Sequence, residues 1–240
     1  MDLITTAAGW EFLLRYAHLL AGTTWIGVLY YFNFIQTPFF GTELGGQAKS
    51  AMTRGLVPNA LWWFRWGAMF TFLSGWTIVL MKLGHGGIGL GDPYMTRILT
   101  GGLMGTLMWA NVWFVIWPAQ QVVIRSAEQI AGGGEAIPEA PGLAARAGLA
   151  SRTNTLFSIP MLFFMGSASH LAWLDDGSNL LSYWLVAGGL IVLVEINGLI
   201  GPGLATQKPL GSVKGTIHAG LGLTLVLFLI GVFINSSSLA

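Results

Sequence analysis

The chain has 240 residues, 54% of them hydrophobic and 9% charged, with a formal net charge of +1 and a mean hydropathy of +0.67. A soluble domain carries about 25% charged residues, so water is not the solvent for most of this surface, and the near-neutral balance argues for neither nucleic acid nor an acidic partner. The absence of cysteine removes disulfides, thiolate metal sites, iron–sulfur ligation and covalent C-x-x-C-H haem attachment, leaving His, Met or carboxylate to hold any metal or haem.

A helix crossing about 30 Å of hydrocarbon needs roughly 20 residues. Six stretches reach that length: Trp10 to Ile35, Ala60 to Leu83, Tyr94 to Trp117, Thr155 to Leu174, Asn179 to Ile200 and Thr216 to Asn235. Turn residues separate them at Gly45-Gly46, at Gly86-Gly87 with Asp92-Pro93, at Asp175-Asp176-Gly177 and at Gly201-Pro202-Gly203. The Met1-Asp2-Leu3 start has no basic region before a cleavage site, so the first segment is read as retained. The expected fold is all-α, a polytopic membrane helix bundle of about six transmembrane helices forming one integral membrane domain over residues 1–240. Residues 122–154, with Gly132-Gly133-Gly134, Pro138 and Pro141, read as a long cytoplasmic loop with a short surface helix over 143–151.

Basic residues set the orientation. Lys49, Arg54, Arg65, Arg125, Arg146, Arg152, Lys208 and Lys214 flank the odd-numbered loops, against Arg15, Lys82 and Arg97 opposite. The positive-inside rule then puts both termini outside, which is periplasmic in a bacterial inner membrane.

Strongly polar residues inside spans cost several kcal/mol unless paired or solvated, which makes them functional candidates. Arg15, His18 and Thr24 on the first span and His170 on the fourth lie toward the outer side. Asn33 and Gln36, Arg65, Asn111, Glu195 and Asn197, and His218 lie toward the inner side. His18 and His170 come from different helices at compatible depth, as an axial pair for haem b requires, and Gly22, Gly27 and Gly166 leave room for a flat macrocycle. Equally, each histidine can simply bond to a neighbouring helix. Glu195 must be neutral, paired or facing a wet cavity, with Arg65 and His218 as its expected partners; a purely structural Glu195 to Arg65 pair is the competing reading. Arg65 also stands in Trp62-Trp63-Phe64-Arg65-Trp66, where a guanidinium can stack on indole. His85, in a glycine-rich loop, is expected to be solvated, and Pro118 and Pro160 to kink spans or mark their ends.

The run His18-Leu19-Leu20-Ala21-Gly22-Thr23-Thr24-Trp25-Ile26-Gly27, followed by Tyr30-Tyr31-Phe32-Asn33-Phe34 and by Pro58-Asn59-Ala60-Leu61-Trp62-Trp63-Phe64-Arg65-Trp66-Gly67-Ala68, closely resembles the membrane domain of the bacterial membrane-bound urate oxidase (urate hydroxylase) family. The similarity extends through Trp109-Ala110-Asn111-Val112-Trp113 and more loosely through His170, Glu195-Ile196-Asn197-Gly198 and His218. A histidine before Trp-x-x-Gly also resembles, over a short stretch, membrane protoporphyrinogen oxidases that carry haem b. The urate oxidase resemblance implies an oxidoreductase that hydroxylates urate and passes electrons to a c-type cytochrome. Family members commonly carry a C-terminal cytochrome c domain, and the lack of cysteine here implies that the acceptor is a separate c-type cytochrome or respiratory partner.

The leading expectation is a haem-b-binding membrane oxidoreductase with haem on His18 and His170. A small anionic substrate would be held by Arg65, Asn111 and Asn33, with Glu195 and His218 as catalytic groups and Glu195 as the base. The alternatives are a non-catalytic subunit of a respiratory or photosynthetic complex, and a proton-coupled transporter using Glu195.

Overall fold

The computed structural model describes residues 3–84, 86–171 and 179–236, with the side chains of residues 235 and 236 left aside. His85 and the Asp175-Asp176-Gly177 turn lie outside the described residues. Among those described there are six long helices: α1 (Ala7–Phe40), α2 (Glu43–Gly84), α3 (Pro93–Ala131), α4 (Ala140–Ser167), α5 (Leu180–Leu199) and α6 (Val213–Ser236). A 3₁₀ segment, Ala205–Gly211, joins α5 to α6. Local chemistry starts the helices as expected. Thr6 accepts from the Gly9 N–H at 3.1 Å, and Asp92 accepts from the Tyr94 N–H at 2.8 Å with Pro93 in the first turn of α3.

Five helices, α1, α2, α3, α5 and α6, are long and apolar enough to cross a membrane, and the chain is a multi-pass helix bundle. The expected fourth span differs. Its helix α4 has 28 residues but is less apolar, because it is built inside out: Thr153, Asn154, Thr155 and Ser158 are at most 1% exposed. Wrapped by the other helices, α4 turns its polar groups toward neighbours. Tyr30 and Ser158 hydroxyls meet at 2.9 Å, and Asn33 donates to Ser151 Oγ at 2.8 Å. Backbone carbonyls inside α4 take the hydroxyls of Thr153, Thr155 and Ser158, so few hydrogen-bonding groups are left wanting.

The loop expected over 122–154 shrinks to residues 132–139. Residues 122–131 continue α3, and α4 runs unbroken from Ala140, so the expected surface helix is the first turns of a buried one. Likewise Pro118 and Pro160 sit within helices rather than at their ends. At about 1.5 Å per residue, the 42 residues of α2 make a rod about 63 Å long, twice the hydrocarbon thickness. Near the odd-numbered loops α1, α2, α3 and α4 together surround a cavity, forming a helical vestibule.

Among the described residues, three widened π-turns interrupt the helices: Tyr31–Gln36 in α1, Asn111–Ile116 in α3 and Trp184–Gly188 in α5. In α1 and α3 the π-turn is followed after one residue by a proline, Pro38 and Pro118. Proline cannot donate to the carbonyl four residues back and crowds it; a wide turn just before it gives the backbone room. Both turns carry a buried asparagine, Asn33 at 3% exposure and Asn111 at 2%.

Helix approach depends on small residues. A Cβ on Gly220 of α6 would stand 2.6 Å from Ile159 Cδ1 and 2.9 Å from the Leu156 carbonyl oxygen of α4. That carbonyl is the one Pro160 leaves without its usual donor. The core fills with Trp25, Leu29, Phe64, Met104, Met108, Phe157 and Phe164.

Candidate functional site

Glu195, 6% exposed on α5, is the most buried carboxylate among the described residues. Its Oε2 accepts from Asn111 Nδ2 at 3.2 Å. The same amide group donates to Asn154 Oδ1 at 2.9 Å, and Asn154 Nδ2 donates to the Met108 carbonyl at 2.9 Å. The chain of groups ties α5, α3 and α4 together around the π-turn. Sequence reasoning found Glu195 and Asn111 as polar residues in apolar spans. It missed Asn154, the link between Asn111 and the α3 backbone, because the run Ser151-Arg152-Thr153-Asn154-Thr155 reads as surface.

Arg65 does not join this group. Its guanidinium lies 3.9 Å from the ring centre of Trp117, 5.1 Å from Trp113 and 5.8 Å from Trp66. The stack on indole takes the place of the expected ion pair with Glu195, and a cation against three electron-rich faces is attracted by their quadrupoles. His218 is exposed on α6 and makes no hydrogen bond to Glu195.

His18 and His170 also stay apart. His18 Nδ1 lies 3.2 Å from Ser74 Oγ of α2, with the ring packed over Gly75, where a Cβ would fall 2.9 Å from its Cε1. His170 is exposed and turns Nδ1 back to the Gly166 carbonyl at 2.9 Å. Between the two seams stands the start of α3. Arg15 donates to the Tyr94 hydroxyl at 3.3 Å on one side, while on the other Arg97 donates to the Ala168 carbonyl at 3.1 Å and to that of Leu171. His18 and His170 are thus each held by a partner of their own, Ser74 and the Gly166 carbonyl, in different helix seams.

The vestibule holds a cavity of about 670 Å³, within the range of small-molecule sites. Phe32, Val57, Leu61 and Phe64 give it an apolar wall from α1 and α2; Asn33 and Gln36 of α1, Gln120 of α3, and Ser151 and Arg152 of α4 give polar edges, and Lys208 stands on the 3₁₀ segment. Among the described residues no Asp or Glu lines it, and Arg152 and Lys208 set its charge. Arg152 donates to the Leu210 carbonyl at 3.2 Å, fastening α4 to the rim, and burial lowers its pKa from the ordinary guanidinium value. Gln207 is spent on structure, donating to the Asn197 and Gly201 carbonyls and accepting from the Gly203 and Leu204 N–H groups. Asn33, expected to bind substrate, lies on the cavity wall and is fixed by the Leu29 carbonyl and Ser151. Asn111 and Glu195 do not line the cavity; Asn111 stands on α3, which contributes Ile116 and Gln120 to the lining, and α5, which carries Glu195, contributes no residue. Arg152 entered the sequence reading only as one of the basic residues that set the orientation, and not as a site residue.

Two further comparisons, with curated proteins and with solved structures, returned no match. Residues 92–196 match the family described as urate oxidase N-terminal. That segment contains Asn111, Arg152, Asn154 and Glu195.

Proposed function

We propose that this chain, which residues 92–196 mark as a urate-oxidase-like membrane protein, takes part in the oxidation of a purine-type anion drawn into the cavity at the face of the odd-numbered loops. The observation that carries the reading is that every member of the buried Glu195, Asn111 and Asn154 chain falls within the matched segment, beside a cavity whose charged residues are both basic. Hydroxylation of a ring carbon by water yields the hydroxylated product, two protons and two electrons. The two electrons go, one each, to two molecules of a separate one-electron acceptor of the c-type cytochrome class.

Glu195 is a positioning residue in this scheme. It holds Asn111, and through it the π-turn of α3 that forms part of the cavity wall at Ile116. The test is urate-dependent reduction of added ferricytochrome c by membranes containing the protein. Activity is expected in the parent and in Glu195→Gln, which keeps an oxygen acceptor for Asn111, and is expected to fall at least tenfold in Glu195→Leu. Loss of activity in a folded Glu195→Gln would make Glu195 the base. No urate-dependent reduction with any c-type cytochrome would overturn the catalytic reading in favour of an accessory subunit.

A further inference from the structure

We propose that Arg65 and the indoles packed round it, at the seam of α2 and α3, form a binding site for the phosphodiester of an anionic phospholipid. Arg65 does not line the cavity, and the inference stands whether or not the chain turns over a substrate. Trp66, Trp113 and Trp117 offer the guanidinium their ring faces, which attract its charge but supply no acceptor oxygen for its N–H groups. Among the described residues Glu11 takes Arg15 and Lys82, and no carboxylate pairs with Arg65. Nε is sealed in without a partner, whereas the two Nη groups keep accessible surface and are likewise unbonded. A fork of donors left open in this way fits two oxygens of one phosphate.

Position makes that phosphate a lipid's. From Arg65 the rest of α2 to Gly84 runs about 30 Å at about 1.5 Å per residue, the thickness of the hydrocarbon, so Arg65 stands at the level of the headgroups. Trp62 and Trp63, both exposed, precede it there, as tryptophan does at such boundaries. Phe70, Leu73 and Leu80 of α2, with Phe114 of α3, continue as exposed apolar surface on the hydrocarbon side, a path for an acyl chain. Charge selects the headgroup. α2 has no Asp or Glu after Glu43, and α3 none before Glu128. An ethanolamine ammonium would find no counter-charge on either helix, and a glycerol headgroup needs none.

The test is native mass spectrometry of the full chain released from detergent micelles carrying equal amounts of phosphatidylglycerol, phosphatidylethanolamine or diacylglycerol, with inorganic phosphate as competitor. A single phosphatidylglycerol is expected to bind about tenfold more tightly than either other lipid and to resist millimolar phosphate. In Arg65→Gln, checked for folding by circular dichroism, that preference is expected to disappear. The parent alone can refute the inference. Equal binding of phosphatidylglycerol and diacylglycerol would show that no phosphate is read, and equal binding of phosphatidylglycerol and phosphatidylethanolamine would remove the selection by charge. Displacement by millimolar phosphate would make the ligand a free anion. An undiminished preference in a folded Arg65→Gln would put the lipid at another site.

Discussion

Substituting Asn111 and Asn154 by leucine, singly and together, probes the buried polar chain. Asn111→Leu takes away the donor to both Asn154 and Glu195; Asn154→Leu takes away the Asn111 bond and the donor to the Met108 carbonyl. A lost buried hydrogen bond that strands its partner costs about 1–3 kcal/mol, while direct measurements between membrane helices average about 0.6 and reach about 1.7 kcal/mol. Taking about 1 kcal/mol per bond, and somewhat more for the stranded carboxylate, Asn111→Leu should cost about 3 kcal/mol and Asn154→Leu about 2 kcal/mol. The two share one bond, so the double variant should cost about 4 kcal/mol, a coupling of about 1 kcal/mol. Unfolding in mixed micelles titrated with SDS and followed by circular dichroism measures all three. Strict additivity, or two single variants as stable as the parent, would refute the claim that these amides form one connected unit.

Gly220→Ala should destabilise the protein by about 1–3 kcal/mol, because a methyl group would meet Ile159 and the Leu156 carbonyl below normal contact distance; the same titration reads it, and a neutral result would mean that α6 rests further from α4. Arg65→Gln should cost about 1–2 kcal/mol and alter tryptophan emission by removing the cation from Trp113 and Trp117. An unchanged emission spectrum would remove the stack. The separate seams of His18 and His170 predict that His18→Ala and His170→Ala each leave the visible absorption spectrum of the purified protein as in the parent; a Soret band lost in both variants would establish them as a haem pair.

Which residues fall within long apolar helices was legible from the chain, and azimuth was not. Apolar runs mark where helices cross, and the polar residues within them, Glu195 and Asn111, do meet. Arg65 lies at a similar expected depth yet turns onto the tryptophans of α3, since neighbouring indoles offer a cation a closer site than a carboxylate two helices away. The histidines show the same limit, with matching expected depth but different seams. The first half of α4 misled for another reason. Small and hydroxylated residues look like surface in a sequence, but when a helix sits in the middle of a bundle they let neighbours approach and satisfy them. Neither Asn154 nor Arg152 stands out until the helices around α4 are known.

The π-turns have a consequence for how such helices are read and engineered. An ordinary helix advances about 100° per residue, so one extra residue in a turn rotates everything beyond it by about that angle. In α1 and α3 the residues past Gln36 and Ile116 are therefore out of phase with the residues before them, and a single apolar stripe drawn along either rod mixes two faces. Deleting one residue within either π-turn would do more than shorten the helix: it would turn the vestibule half of that rod by a quarter to a third of a revolution while leaving the membrane half in place, bringing a different set of side chains to face the cavity.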